Sequence, residues 1–77
     1  MQLNKWTIKC NHTPETIDRI MMHFRKRGLT VNELNYKALE NNLSDCEIVF
    51  EEDALNAGRI YKNLIRTVDV NEIIIIN

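Results

Sequence analysis

Glycine is scarce in this 77-residue chain, with Gly28 and Gly58 its only two. That scarcity excludes the glycine-rich loops that cradle phosphates in nucleotide-binding enzymes. Basic charge is not in surplus either: 10 Lys and Arg stand against 11 Asp and Glu, for a formal net charge of −1. A protein devoted to neutralising nucleic-acid phosphates is usually strongly basic, so neither charge nor composition indicates a nucleic-acid partner. Cysteine appears only as Cys10 and Cys46, far apart and without the short spacing of a zinc knuckle or redox pair. They read as two buried free thiols of a cytosolic protein, with a disulfide or metal site as the alternative. The longest apolar run is Ile73 to Ile76, too short to cross a bilayer, and no basic-then-apolar leader precedes the fold. The expectation is a cytoplasmic protein without a membrane partner.

With 44 % hydrophobic and 27 % charged residues, the chain reads as one globular domain spanning residues 1–77. A domain this small buries only about 60 to 65 % of the surface its unfolded chain exposes. Its core is expected to be thin, and partner chains are an expected source of further stability.

Trp6, Ile8 and Cys10 alternate with Lys5, Thr7 and Lys9, the pattern of a half-buried strand over residues 3–10. Thr13 is placed to cap a helix, with Pro14 as its first residue and Glu15 beside the positive end of the dipole. Ile17, Ile20, Met21 and Phe24 form one apolar stripe of that helix, and Gly28 ends it. The consecutive cations Arg25, Lys26 and Arg27 face the negative end of the dipole, which accounts for them without a bound anion. With Gly28 at C′ and Leu29 at C″, Leu29 can close over Phe24 as in a Schellman motif.

Residues 29–38 and 44–50 flank Glu40, Asn41 and Asn42 and read as a hairpin. Val31 is out of phase with Leu34, so a bulge is expected near Asn32 and Glu33. A second helix follows Glu51, Glu52 and Asp53, with Ala54, Ala57, Gly58, Tyr61, Leu64 and Ile65 as its buried stripe and Arg59, Lys62 and Arg66 in its later turns. Residues 68–76 complete the order as a last strand. The order βαββαβ predicts an α+β ferredoxin-like plait: a four-stranded antiparallel sheet with two helices on one face. Its first and third strands are central, and its second and fourth are edges where another chain can add a strand.

No nucleophile, base and orienting acid come together in the pattern, so no catalytic residue is assigned. His12, His23, Cys10 and Cys46 are read as structural or solvent-facing, with no metal assigned. Trp6 and Phe50 share the phase of Ile8 and Ile48, which points to core packing rather than base stacking on RNA.

The run TPETIDRIMMHFRKRGLTVNEL, with LIRTVDVNEI before the C-terminus, resembles the regulatory small subunits of acetolactate synthase (acetohydroxyacid synthase), an ACT-domain family. The likeness is to the short, single-domain type. It rests on Pro14-Glu15-Thr16 opening the first helix, Arg27-Gly28 closing it, and Val68-Asp69-Val70 entering the last strand. The resemblance implies a protein without chemistry of its own that binds and activates a catalytic large subunit in the biosynthesis of valine, leucine and isoleucine. Thiamine diphosphate, Mg²⁺ and FAD would belong to that partner, with no cofactor on this chain.

The resemblance further implies a side-by-side homodimer with a branched-chain amino-acid effector at the interface. Asn11, His12, Thr13, Pro14 and Glu15 would face Leu29, Thr30 and Val31 of the neighbour. Valine-sensitive members carry glycine where this chain has Glu15, and asparagine where it has Thr30. A glutamate there repels the ligand's carboxylate, so valine inhibition is expected to be weak or absent, with activation retained. Asn32, Leu34 and Tyr36 on the bulged strand are interface candidates for the dimer. Ile74 and Ile76 are candidates too, because a strand apolar on both sides cannot place every side chain under the helices. The alternative is a stand-alone ACT-type amino-acid-sensing or interaction module serving another enzyme.

Overall fold

Strand β1 (Gln2–Asn11) realises the expected alternation, with Asn4, Trp6, Ile8 and Cys10 buried. The structure, a computed structural model, describes residues 2–77. After β1 come α1 (Thr16–Arg25), β2 (Val31–Ala38), β3 (Leu43–Glu52), α2 (Ala54–Leu64) and β4 (Val70–Ile75). The four strands form one antiparallel sheet in the order β2-β3-β1-β4, so β1 and β3 are central and β2 and β4 are edges, as the element order requires.

The core lies between the sheet and the helices. Trp6 and Ile8 of β1 and Cys46, Ile48 and Phe50 of β3 meet Ile20 and Phe24 of α1 and Ala57, Ile60 and Leu64 of α2. Phe50 stands edge-on to both Trp6 (centroids 4.9 Å apart) and Phe24 (5.1 Å), an arrangement in which ring edges meet ring faces. Trp6 and Phe50 therefore face the helices, away from the surface on which an RNA-binding plait would display them.

The bulge falls where the phase break puts it. Strand register shifts between Val31 and Glu33, which sets Val31 opposite Phe50, Leu34 opposite Ile48 and Tyr36 opposite Cys46. One extra residue thus turns Val31, Leu34 and Tyr36 to the same face. The β2–β3 turn is closed by the Leu43 N–H on the Glu40 carbonyl (3.2 Å), and Asn41 and Asn42 both adopt positive φ (59° and 58°), as a type I′ turn requires.

The C-terminus of α1 is a Schellman motif. Leu29 N–H donates to the Phe24 carbonyl (3.2 Å) and Gly28 N–H to the Arg25 carbonyl (3.0 Å), with Gly28 at φ +66° and Leu29 packed on the core. A Cβ on Gly28 would meet no atom within 4 Å, so substitution there costs backbone conformation alone. Gly28→Ala is expected to lower the unfolding free energy by about 1 kcal/mol with helix content unchanged, measured by urea denaturation followed by circular dichroism.

Several local expectations are corrected. Thr13 is not the N-cap of α1 and Pro14 is not in the helix; residues 13–16 form a turn closed by Thr16 N–H on the Thr13 carbonyl (3.2 Å), and the helix begins at Thr16. That start centres the buried stripe on Thr16, Ile20 and Phe24, leaving Met21 half-buried and Ile17 exposed. In α2 the stripe is Ala57, Ile60 and Leu64, with Ala54 and Gly58 exposed, because Ile60 turns toward the seam between the helices. Val68 lies outside β4 and is exposed, since Asp69 at φ +80° breaks the extended chain before Val70. Asp53, the last of the three acids before α2, is its N-cap, with Oδ1 accepting from Asn56 N–H at 2.8 Å.

Candidate functional site

The loop joining β1 to α1, Asn11 to Glu15, emerges where β1 pairs with the start of β3. Thr16 organises it from within. Its buried Oγ1 donates to the Asn11 carbonyl (2.7 Å) and accepts from Thr13 N–H (2.9 Å). Because that single hydroxyl proton is committed to Asn11, the one Thr13 hydroxyl proton is shared between Thr16 Oγ1 (3.0 Å) and Asp69 Oδ2 (3.3 Å).

Asp69 braces the loop from outside. Its carbonyl accepts from Asn11 N–H (2.7 Å), and its largely buried carboxylate accepts from Arg19 of α1 at 2.6 Å. One residue at the entrance to β4 therefore ties the end of β1, the loop and the first turn of α1 together. Asp69 holds positive φ, a conformation that aspartate tolerates better than most residues. Asn71 adds a further tie, donating to Asn11 Oδ1 (3.0 Å).

His12 carries the loop across the sheet to the edge strand. Its N–H donates to the Asn42 carbonyl of the hairpin turn (2.7 Å), and its Nδ1 lies 2.7 Å from the Tyr36 hydroxyl. With Tyr36 donating to Ser44 Oγ (2.9 Å), the network assigns the proton of the His12–Tyr36 bond to Nδ1. Pro14 and Glu15 are exposed at the start of α1, and the Glu15 side chain makes no capping bond.

Leu29, Thr30 and Val31 are elsewhere. Val31 pairs with Phe50, at the other end of β2 from Ala38, which pairs with Ser44 beside the hairpin. Eight strand residues span about 26 Å, so a single chain cannot bring Leu29–Val31 onto the Asn11–Glu15 loop. Gly28, Leu29, Thr30, Asn32 and Glu51 instead line a separate hollow of about 310 Å³.

Among the interface candidates, Leu34 is exposed and Tyr36 half-buried on the helix-facing side of β2, and Asn32 is exposed at the bulge, donating to Glu51 Oε1 (3.2 Å). Ile74 pairs with Thr7 on the opposite surface of the sheet. Ile73 and Ile75 share the helix side; Ile73 is buried, while Ile75 is exposed beside Trp6 and Tyr61. Ile76 is exposed, its N–H on the Lys5 carbonyl at 2.8 Å.

Burial pushes the Cys10 thiol up to about 11 and the Cys46 thiol up to about 12, so both are neutral near pH 7 and poor nucleophiles or ligands. His23 is bonded to Thr67 and stands apart from His12. Among the described residues no three His, Cys, Asp or Glu side chains group as a metal site would need, and no helix is long and apolar enough to cross a membrane.

Sequence reasoning named the loop but missed what holds it: Thr16, Arg19, Ser44 and the bracing role of Asp69. The sequence signals for these are faint, a Thr three residues after Thr13 and an Asp in the last linker.

A four-stranded antiparallel sheet backed by two helices in the order βαββαβ is the ferredoxin-like fold shared by ACT domains, and solved structures bear out that fold. The small subunit of acetolactate synthase from Thermotoga maritima superposes with a TM-score of 0.86 at 18 % identity, over 100 % of this chain and 48 % of that one. The ACT domain of GTP pyrophosphokinase from Chlorobium tepidum matches with a TM-score of 0.80 at 11 % identity, over 96 % of each chain. A formyltetrahydrofolate deformylase from Pseudomonas putida matches with a TM-score of 0.74 at 13 % identity, over 95 % of this chain and 28 % of that one. The present chain thus spans about half the length of the Thermotoga subunit. No family model matches the sequence, and no curated protein matches it. At these identities the likeness is one of fold.

Proposed function

We propose that residues 1–77 act as one ACT-type regulatory unit that dimerises through β2 and activates the catalytic large subunit of acetolactate synthase in the cytoplasm. The observation that carries this reading is that the Asn11–Glu15 loop and the Leu29–Val31 segment lie at opposite ends of one edge strand. A two-fold axis through the middle of β2 would pair it antiparallel with its copy and set Leu29, Thr30 and Val31 of the neighbour beside the loop that His12 anchors to Tyr36. The exposed apolar side of β2, with Leu34 and Tyr36, supports pairing along that edge. The likeness to the Thermotoga subunit, and the sequence resemblance at Pro14-Glu15-Thr16, Arg27-Gly28 and Val68-Asp69-Val70, favour acetolactate synthase as the enzyme served. Thiamine diphosphate, Mg²⁺ and FAD would then sit on the large subunit.

A branched-chain amino acid would meet Glu15 where its own carboxylate must go, so the unit activates without strong valine control. Mixing the chain with a candidate large subunit should raise pyruvate condensation and give co-elution, while calorimetry should detect no low-micromolar valine binding. Tight valine binding would overturn the effector reading. The same fold in a GTP pyrophosphokinase and a formyltetrahydrofolate deformylase favours, as a second reading, an amino-acid-sensing module for another enzyme. Absence of both stimulation and co-elution would select it.

The second edge is left for the catalytic partner. Ile74→Glu and Ile76→Glu are expected to abolish co-elution with the large subunit while leaving folding and the homodimer unchanged, measured by size-exclusion chromatography and thermal melts.

A further inference from the structure

A net charge near zero conceals how the charges divide between the layers. Residues 16–28 and 54–66, the helices and their C-terminal turns, carry Arg19, Arg25, Lys26, Arg27, Arg59, Lys62 and Arg66, seven of the ten basic residues. Asp18 is the one acid among them, so the excess of carboxylates lies on the strands and loops.

Three of these cations converge. The C-terminal turns of α1 and α2 enclose a cleft of about 540 Å³ lined by His23, Lys26, Arg27, Ile60, Asn63 and Arg66. No carboxylate lines it. Arg19 is taken by Asp69 and Arg25 approaches Asp18 at 3.8 Å, but Lys26, Arg27 and Arg66 join no ion pair among the described residues.

Helix dipoles explain part of this arrangement. Each helix C-terminus presents roughly half a negative charge, about one charge in total against three cations. Positive charge therefore remains in excess, at a concave site of ordinary ligand-binding size. Asn63 can contribute a neutral amide donor. His23 is held on the cleft wall by Thr67: because Thr67 Oγ1 donates to the Asn63 carbonyl (3.2 Å), it accepts from His23 Nε2 (2.7 Å). His23 is the one ring on the cleft wall and is tethered by Thr67, and no Phe, Tyr or Trp face lines the cleft to stack a base.

We propose that this cleft binds an oligophosphate anion, gripped by Lys26, Arg27 and Arg66 and recognised through adjacent phosphates. Guanidinium forks and an ammonium are suited to that geometry, and they replace the backbone cradle that a glycine-poor chain cannot build. The site lies on the helix layer and is separate from the β1–α1 loop.

Titration calorimetry of the full chain with inorganic pyrophosphate, tripolyphosphate, sulfate and ADP tests this at about 150 mM salt. Tripolyphosphate is expected to bind more tightly than pyrophosphate, and pyrophosphate more tightly than sulfate, with ADP within a few-fold of pyrophosphate. Lys26→Gln and Arg66→Gln should each weaken tripolyphosphate binding about tenfold, whereas Arg59→Gln, on α2 outside the cleft, should leave it unchanged. All three positions are exposed, so unchanged thermal melts are expected; should one variant not fold, Arg27→Gln replaces it with the same expected loss. No binding of either inorganic phosphate at about 1 mM, equal loss in Arg59→Gln, or binding of ADP where pyrophosphate fails would overturn the proposal.

Discussion

Asp69→Ala is expected to lower the unfolding free energy by about 3 kcal/mol, the largest loss from any single replacement around the β1–α1 loop. Two effects add. The variant removes the charge-assisted bond to Arg19 at 2.6 Å, whose acceptor is only 9 % exposed. It also places alanine at φ +80°, a conformation that costs a side chain about 1 kcal/mol or more. Asp69→Gly separates these contributions: it loses the ion pair but tolerates the backbone, and should be about 1 kcal/mol more stable than the alanine variant. Urea denaturation measures both. Hydrogen exchange should localise the effect, with the Asn11 and Thr13 amides exchanging faster than in the parent while those of Trp6 and Ile8 stay protected. Equal stability of the alanine and glycine variants would refute the strain component, and unchanged exchange at Asn11 would refute the bracing role.

If the proposed dimer forms through β2, Leu34→Glu is expected to weaken it about 100-fold, from the cost of placing two carboxylates at a two-fold interface. Leu34 sits near the middle of β2 and is exposed, so the substitution leaves the monomer core intact. An axis through that region meets each substitution twice, which is why one residue should suffice. Sedimentation across a concentration series checks it, and an unaltered melting temperature in dilute monomer confirms that the fold is kept. A dimer of undiminished affinity would move the interface away from β2. On the proposed two-fold arrangement, loss of the dimer should also abolish effector binding of any strength, because the Asn11–Glu15 loop and the Leu29–Val31 segment lie at opposite ends of the strand.

Most of the architecture was legible because its signals are local. The alternation of Trp6, Ile8 and Cys10, the break of phase between Val31 and Leu34, and the sequence Arg27-Gly28-Leu29 each specify a conformation within a few residues. Helix faces were read less well. Ile17 looked apolar enough to be buried, but the turn at residues 13–16 delays the helix and hands its first inward position to Thr16. Ile60 was passed over because the stripe of α2 is rotated toward α1, and a single helix carries no information about where its neighbour stands.

The candidate loop was found by position and by resemblance, while its construction was not. Arg19 and Asp69 are 50 residues apart, His12 and Tyr36 are 24 apart, and only the crossover connections and strand register bring them within hydrogen-bond reach. The cationic cleft was hidden for the same reason: Lys26, Arg27 and Arg66 look like separate helix ends until two helices are laid side by side.

The sequence by itself determined the elements, their order, the bulge and the glycine stop, since propensity, periodicity and capping act over one or two turns of chain. Tertiary structure alone decided which loop Asp69 ties down, which edge His12 reaches, and where unpaired cations gather. Those outcomes depend on packing two helices against one sheet, a constraint that distant residues share and that no short segment contains.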